Sequence, residues 1–242
     1  MKLNIFNTEN EVLTGLAEYF VTTANAVLAK QDRFSVALSG GSSPKKLYEL
    51  LTTDAYKTKV DWTKIYFFFG DERYVPQTDS NSNYLMAKKA LFEPLEIAAA
   101  NIFPVDTTLE PLGAALQYAE DIANFFAGEP AAFDIVLLGL GDNSHTASLF
   151  PYTPVLHDES PSTAAVWLED QQVFRITINA PMINQAHHIA FLVYGAGKAI
   201  AVHHILEDEK DIENYPAQLI VPETGEVQWF LDEPAAANLT KK

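Results

Sequence analysis

The chain has 242 residues, of which 48% are hydrophobic, so it can bury a large core; because no linker divides it, we expect one domain over residues 1–242. Its formal net charge of −16 at pH 7 disfavours nucleic acids and anionic membranes as partners, because both bind basic surfaces. It contains no cysteine, which excludes disulfides, thiolate catalysis and cysteine-ligated metals and is in keeping with a cytoplasmic location.

The predicted secondary structure alternates between short apolar strands and amphipathic helices. Helices are predicted over residues 9–30, 44–51, 81–92, 112–126 and 197–206, with a further short helix near residue 146. Strands are predicted over residues 34–38, 65–69, 133–138, 174–178, 189–194, 219–221 and 227–231. We expect no signal peptide and no membrane span, since no apolar run approaches the ~20 residues that a span needs. The end of the chain, from about residue 233 to 242, is expected to be frayed.

Continuous apolar strands separated by helices are typical of a parallel sheet that is covered on both faces. The sequence therefore predicts a doubly wound α/β fold with a mainly parallel sheet and helices on both faces. In such folds ligands bind beyond the carboxyl ends of the strands. Four loops rich in glycine or polar residues leave predicted strands at that edge, over residues 39–43, 70–76, 139–145 and 195–198.

The first loop, SGGSS, joins a predicted strand to a helix that we expect to start at Pro44. Its two glycines allow a tight turn, and free N–H groups at a helix start favour a bound phosphate. Ser42 and Ser43 can add hydroxyl donors. The spacing matches neither the Walker pattern nor the dinucleotide-binding pattern, which disfavours a nucleotide. An ordinary strand-to-helix turn explains this segment equally well.

The second loop places Asp71, Glu72 and Arg73 directly after an apolar strand. Charges at the end of a buried strand are costly unless they are paired or used. Arg73 could bind an anionic group or polarise a carbonyl oxygen, and Asp71 could accept hydrogen bonds from substrate hydroxyls. A structural ion pair is the simpler explanation of this segment alone.

The third loop, GLGDNSH, ends on His145. A neutral imidazole at this place could take a proton from water, although a lone histidine more often caps a helix or lies in a core. The six histidines of the chain do not show the His-Glu-x-x-His spacing, so we predict no metal.

The fourth loop, GAGK, brings Lys198 to a predicted helix start, from which it could reach a phosphate or simply lie at the surface. Arg175, in VFRITINAP, could face the same pocket or the solvent. No Gly-x-Ser-x-Gly segment is present, so a covalent serine mechanism is not indicated.

The order of these segments is more specific than any one of them. SGGSSP, FGDERYVP followed by NSNY, GLGDNSHTASLFP, RITINAPMIN and GAGK together resemble the 6-phosphogluconolactonase family, over about residues 34–206. That family is related to the glucosamine-6-phosphate deaminases and shares their α/β architecture. The resemblance implies hydrolysis of 6-phosphoglucono-1,5-lactone in the oxidative pentose phosphate pathway, with a sugar phosphate as substrate and without a metal or other cofactor.

The resemblance also implies roles for individual residues. His145 matches the general base of the family, and Asp71 and Arg73 match the acidic and basic pair beside the substrate. The expected substrate-binding residues are Ser39, Gly40, Gly41, Ser42, Ser43, Asn143, Arg175 and Lys198. The chain departs from the family at Asn143 and Ser144, where Asp-Gly is usual, and this change could weaken the activity or be compensated by Asp142.

Two alternatives remain open at this point. A deaminase of the related type would carry a glutamate shortly after the histidine block, where this chain has ASLFP, and Asp-Glu-Tyr where it has Asp-Glu-Arg. A sugar-phosphate binder without activity would explain the change at Asn143 and Ser144. The sequence makes no prediction of the oligomeric state.

Overall fold

The computed structural model describes residues 1–240. Its strands are β1 (Lys2–Phe6), β2 (Phe34–Leu38), β3 (Ile65–Phe69), β4 (Asp71–Arg73), β5 (Ile135–Leu138), β6 (Thr163–Leu168), β7 (Val173–Ile178), β8 (His188–Val193) and β9 (Glu226–Asp232). Its α-helices are α1 (Glu9–Leu28), α2 (Ser42–Leu51), α3 (Asn83–Ala87), α4 (Pro111–Phe125), α5 (Ala180–Ile183) and α6 (Ala199–Leu206). Within residues 1–240, none of the helices is long and apolar enough to cross a membrane.

Six strands form one sheet in the order β1-β9-β8-β5-β2-β3, and every pair in it is parallel. The chain runs from β2 to β3 on one side and from β5 through β8 to β9 on the other, so the winding reverses between β2 and β5. This arrangement confirms the predicted doubly wound, mainly parallel fold. The reversal point is where such sheets open a crevice at their carboxyl edge.

Apolar side chains alternate between the two faces of this sheet, as the period of two in a strand requires. Phe34, Val36 and Leu38 of β2 pack into a core shared with α1 and α2. Ala37 faces the opposite core, which includes residues of α4 and α6. The predicted cover of helices on both faces is therefore confirmed.

A buried carboxylate at the amino edge ties β2 to β5. Asp134 precedes β5, and its Oδ2 accepts hydrogen bonds from the backbone N–H of Ser35 at 2.7 Å and from the Ser35 hydroxyl at 2.8 Å. Its Oδ1 accepts from the Gln31 amide at 3.0 Å. These bonds fix the two central strands at the end opposite to the crevice.

A second, three-stranded antiparallel sheet has the order β4-β7-β6. The sequence predicted only β7 of these strands, since β4 has three residues and consists of charged side chains. The pairing of β4 with β7 places Arg73 directly opposite Arg175. Two arginines that are far apart in the chain thus become neighbours beside the crevice.

The helix expected over residues 81–92 is confirmed from residue 83 onward, as an α-helix over Asn83–Ala87 that continues as a π-helical turn over Lys88–Phe92. One predicted strand, by contrast, is wrong. The strand expected over residues 219–221 is not formed, because a 3-10 turn spans Pro216–Leu219.

The predicted frayed end is wrong for residues 233–240. Ala235 and Ala236 are fully buried, and Leu239 is buried as well. The N–H of Ala235 donates to the Asp232 carboxylate at 2.8 Å, and the N–H of Glu233 donates to the carbonyl of Phe6 at 2.8 Å. Residues 241 and 242, which the same prediction included, lie outside the described residues.

Candidate active site

All four predicted loops, the second of which forms β4, contribute to a cavity of about 220 Å³ at the carboxyl edge of the parallel sheet. The strands β8, β5, β2 and β3 are consecutive in the sheet, so the loops that follow them lie side by side. Nine of the eleven residues proposed from the sequence line this cavity: Ser39, Gly40, Gly41, Ser42, Ser43, Asp71, Arg73, His145 and Lys198.

The turn after β2 is shaped for close approach of a ligand to the backbone. Gly41 adopts φ 104° and ψ 178°, a conformation that is essentially restricted to glycine. Helix α2 begins at Ser42 rather than at Pro44 as predicted, so Ser42 and Ser43 lie in its first turn. Because Gly41 at the N-cap has no side chain, the first N–H groups of α2 stay available for an anion.

Tyr48 holds this turn from below and was not predicted as a site residue. Its buried hydroxyl accepts from the N–H of Ser39 at 3.0 Å and donates to the carbonyl of Ser39 at 2.8 Å. Burial raises the pKa of Tyr48, so the hydroxyl stays protonated and can donate one hydrogen bond while it accepts the other. The turn is therefore fixed where it leaves β2.

The loop after β5 is a set of tight turns, and the short helix predicted near residue 146 is not formed. The N–H of Gly141 donates to the carbonyl of His145 at 2.8 Å, and the hydroxyl of Thr146 donates to the carbonyl of Gly139 at 2.8 Å. Ser144 and Ala147 adopt positive φ angles of 63° and 47°. Such angles interrupt a helix, so the loop folds back and presents His145 to the cavity.

His145 is held on both sides of its ring. Its Nδ1 is hydrogen-bonded to the amide oxygen of Asn143, and its ring stacks on Phe150 with 4.0 Å between centroids. A Cβ at Gly141 would lie 2.1 Å from Nδ1, so only glycine allows this ring position. The Asn143 oxygen accepts, which places the proton on Nδ1 and leaves Nε2 as the basic nitrogen.

Burial lowers the pKa of His145 to about 4. The carboxylate of Asp71 acts in the opposite direction, and the cations Lys198 and Arg175 lower the pKa further. At neutral pH the ring is therefore uncharged and can accept a proton.

Asp71 and Arg73 lie on β4 at the side of the cavity, as predicted. The Asp71 carboxylate accepts from the hydroxyl of Ser148 at 2.9 Å, although the two residues are far apart in the chain. Arg73 donates from Nη1 to the carbonyl of Asn81 at 3.0 Å, and its buried Nε has no hydrogen-bond partner among residues 1–240. The structure gives no ion pair between them, so the simpler explanation offered for this segment is wrong.

Two predicted substrate-binding residues do not line the cavity. Asn143 lies behind His145 and contacts its ring. Arg175 is half-buried opposite Arg73 on β7, and its Nη2 donates to Gln171 at 3.0 Å. Burial and the neighbouring Arg73 lower the pKa of Arg175, which reflects two cations close together.

Lys198 completes the wall of the cavity at the start of α6. Its ammonium forms a salt bridge with the carboxylate of Asp142, whose side chain is 81% exposed. A chain with a net charge of −16 thus gathers Arg73, Lys198 and the nearby Arg175 at one place. A local cluster of cations next to free N–H groups attracts an anion in spite of the overall charge.

The fold and the cavity define a class: doubly wound α/β enzymes that bind a small anionic substrate next to a neutral imidazole, at the point where the strand order reverses. The family model described as glucosamine-6-phosphate isomerases/6-phosphogluconolactonase matches residues 7–229. The chain belongs to this family.

Named relatives agree with this assignment. A curated protein of Synechocystis sp., named 6-phosphogluconolactonase, is 42% identical over 234 residues, which cover 95% of each chain. A protein of the same name from Nostoc sp. is 39% identical over 227 residues, which cover 92% of each chain. The solved structure of 6-phosphogluconolactonase from Trypanosoma brucei superposes with a TM-score of 0.85 at 29% identity, covering 99% of this chain and 98% of that one.

Proposed function

We propose that the chain hydrolyses 6-phosphoglucono-1,5-lactone to 6-phosphogluconate, the second step of the oxidative pentose phosphate pathway. The names of the Synechocystis and Nostoc relatives support this substrate. The observation that carries the proposal is the pairing of His145 with Asn143, because it gives the cavity a neutral imidazole with a free lone pair.

The phosphate of the substrate binds at the glycine turn. Gly41, Ser42, Ser43 and Lys198 line one cavity. The backbone N–H groups of the first three supply donors for the phosphate, and the ammonium of Lys198 supplies positive charge. A grip on this remote group provides binding energy that orients the lactone carbonyl against the base.

His145 then acts as the general base. Its Nε2 takes a proton from a water molecule as the water oxygen forms a bond to the lactone carbonyl carbon, and the carbonyl π electrons move to oxygen. The tetrahedral oxyanion collapses, the bond from this carbon to the ring oxygen breaks, and the imidazolium returns the proton to that oxygen. The product is an open-chain acid, which ionises at neutral pH.

Arg73 and Asp71 complete the chemistry on the opposite wall. The guanidinium of Arg73 stabilises the oxyanion, a contribution that is commonly worth about 3 kcal/mol for one donor. Asp71, held by Ser148, accepts hydrogen bonds from the sugar hydroxyls. Arg175 contributes positive charge behind Arg73 rather than a direct contact.

The loop geometry favours turnover over a binder without activity. Asn143 retains a hydrogen bond to Nδ1, and Ser144 adopts the positive φ that a glycine would adopt easily. The deaminase alternative is disfavoured because residues 147–151 offer no carboxylate after the histidine. A cytoplasmic location stays a prediction.

The test is acid release from the lactone, measured in a pH-stat and corrected for spontaneous opening. His145→Ala should lower kcat by about 10²- to 10⁴-fold, the usual contribution of a general base. His187→Ala, an exposed histidine at the amino edge of β8, serves as the matched control and should leave the rate unchanged. Equal rates for His145→Ala and wild type would refute the base, and ammonia release from glucosamine 6-phosphate would favour the deaminase.

A further inference from the structure

A buried carboxylate next to the cavity takes no part in the proposed chemistry. Glu72 is only 1% exposed, although it lies between Asp71 and Arg73. Its Oε1 accepts from the N–H groups of Arg73 at 2.7 Å and Asn83 at 2.6 Å. Its Oε2 accepts from the N–H of Tyr84 at 2.8 Å and from a serine hydroxyl at 3.1 Å.

These four bonds fix the chain where α3 begins. The serine is Ser82, the N-cap of α3, whose Oγ in turn accepts from the N–H of Leu85 at 3.1 Å. All four partners of Glu72 donate, and three of them are backbone groups, so the carboxylate determines the path of the backbone over residues 82–84. The side chain of Asn83 is therefore aimed by Glu72.

Asn83 occupies the space between two walls of the cavity. Its side chain is 2% exposed, and its amide donates to the carbonyl of Asp71 at 2.9 Å and lies 3.4 Å from Oδ1 of the same residue. A Cβ added at Gly40 would lie 2.0 Å from the Asn83 amide oxygen. Asn83 thus touches both the carboxylate wall and the glycine turn.

We infer that Glu72 and Asn83 are positioning residues for the reaction, and this inference rests on the proposed function. Glu72 fixes the start of α3. Asn83 then determines the position of the Asp71 carboxylate and the distance between this carboxylate and the turn at Gly40. Neither residue lines the cavity. A displacement of about 1 Å in groups that orient a substrate can lower a rate by about a hundredfold.

A second buried carboxylate provides a control that distinguishes a positioning role from a purely stabilising one. Asp134 is also buried and also accepts hydrogen bonds from a backbone N–H, a hydroxyl and an amide, but it lies at the amino edge of the sheet. Glu72→Gln and Asp134→Asn each replace one oxygen by a donor. Both should lower stability, but only the first should disturb the cavity.

The first experiment compares kcat/KM for these two variants at a temperature where each is folded. We expect a loss of about 10- to 100-fold for Glu72→Gln and less than about twofold for Asp134→Asn. Equal losses in the two variants would overturn the inference.

A second pair of variants covers the case in which Glu72→Gln does not fold. Asn83→Asp keeps the backbone N–H that Glu72 binds but sets a second carboxylate beside Asp71. This added negative charge raises the pKa of His145, in the direction in which the Asp71 charge already acts. The acid limb of the kcat profile should therefore move to higher pH. Asn101→Asp is the control, since the buried Asn101 amide likewise donates to backbone, here to two carbonyls at 2.9 Å each, but outside the cavity. An unshifted limb in Asn83→Asp would overturn the inference.

A binding measurement distinguishes failure of the proposed function from failure of the positioning inference. If the wild-type protein does not accelerate lactone opening, the affinity for 6-phosphogluconate is measured by calorimetry in the first pair of variants. A tenfold weaker affinity in Glu72→Gln than in Asp134→Asn would still support positioning of the glycine turn. Equal affinities would overturn it.

Discussion

Nδ1 of His145 is hydrogen-bonded to the amide oxygen of Asn143, two residues earlier in the same loop. An amide oxygen accepts but brings no negative charge, so it fixes the tautomer of the ring without stabilising the imidazolium. A carboxylate at this position would do both. The base is thus oriented but weak, with a pKa of about 4 that results mainly from burial.

The first prediction concerns Asn143→Asp. A carboxylate on Nδ1 raises the pKa of His145, so the ring stays protonated up to a higher pH and the acid limb of kcat/KM moves upward from about pH 4. Above that limb the stronger base should increase the rate by about twofold to tenfold. A pH profile of the two proteins from pH 3.5 to 8 tests both effects. An acid limb that stays in place would contradict the assigned hydrogen bond.

The second prediction concerns stability. Because the pKa of His145 falls from its ordinary value of 6.5 to about 4 on folding, the unfolded chain binds the proton more readily between these values. The contribution of His145 is therefore fully present above pH 6.5 and is lost as the pH falls toward 4. The free energy of unfolding of wild type minus that of His145→Gln should be larger at pH 7.5 than at pH 5, as measured with urea. His187→Gln, which removes an exposed histidine, is measured at the same two pH values as the control.

Strands of the parallel sheet could be predicted from the sequence because each is a continuous apolar run. β2 and β3 were predicted with the observed bounds, since nearly all of their residues are buried. Polar residues or a glycine flank both apolar runs and mark where each strand begins and ends. β4 could not, because it consists of three charged residues and is held by its pairing with β7 and by side-chain contacts from distant segments. β6, which pairs with β7, was not predicted either.

The residues that line the cavity were predicted far better than those that support it. Lining residues follow directly after strands or begin helices, which is a local signal. Ser148, by contrast, reaches Asp71 from 77 positions away, and Tyr48 reaches back to Ser39 from within a helix. The short helix predicted near residue 146 is not formed, because Ser144 and Ala147 adopt positive φ angles that no local sequence signal indicated.

The third prediction concerns Gly41→Ala. An added Cβ at Gly41 would meet its nearest neighbour at 4.0 Å, so the cost is backbone strain at φ 104° and not a clash. We expect the free energy of unfolding to fall by about 1–3 kcal/mol and the affinity for inorganic phosphate to decrease. Gly113→Ala, within α4, should instead raise stability by about 0.5–1 kcal/mol and leave phosphate binding unchanged. Urea denaturation measures the change in stability, and calorimetry measures the affinity for phosphate. An unchanged phosphate affinity in Gly41→Ala would exclude the turn as the anion site.

The fourth prediction concerns Lys198→Gln. A hydrogen bond to a charged group is worth about 1.5–3 kcal/mol, so KM should rise by about 10- to 100-fold. kcat should change little, because the phosphate is remote from the bond that breaks. Lys59→Gln is the control, since Lys59 pairs with Glu18 at 3.1 Å away from the cavity. A fall in kcat with unchanged KM would place Lys198 in the chemical step and not in phosphate binding.

The fifth prediction concerns Asp142→Asn. Without substrate the Asp142 carboxylate pairs with Lys198, so a phosphate that binds there must take its place. Because Asp142 is largely exposed, this pair is worth at most about 1 kcal/mol, and its removal should lower KM by no more than about fivefold. The gain should shrink as salt is added, because salt screens the pair in the wild-type protein. A KM that rises in Asp142→Asn would mean that Asp142 supports the position of Lys198 and does not compete for it.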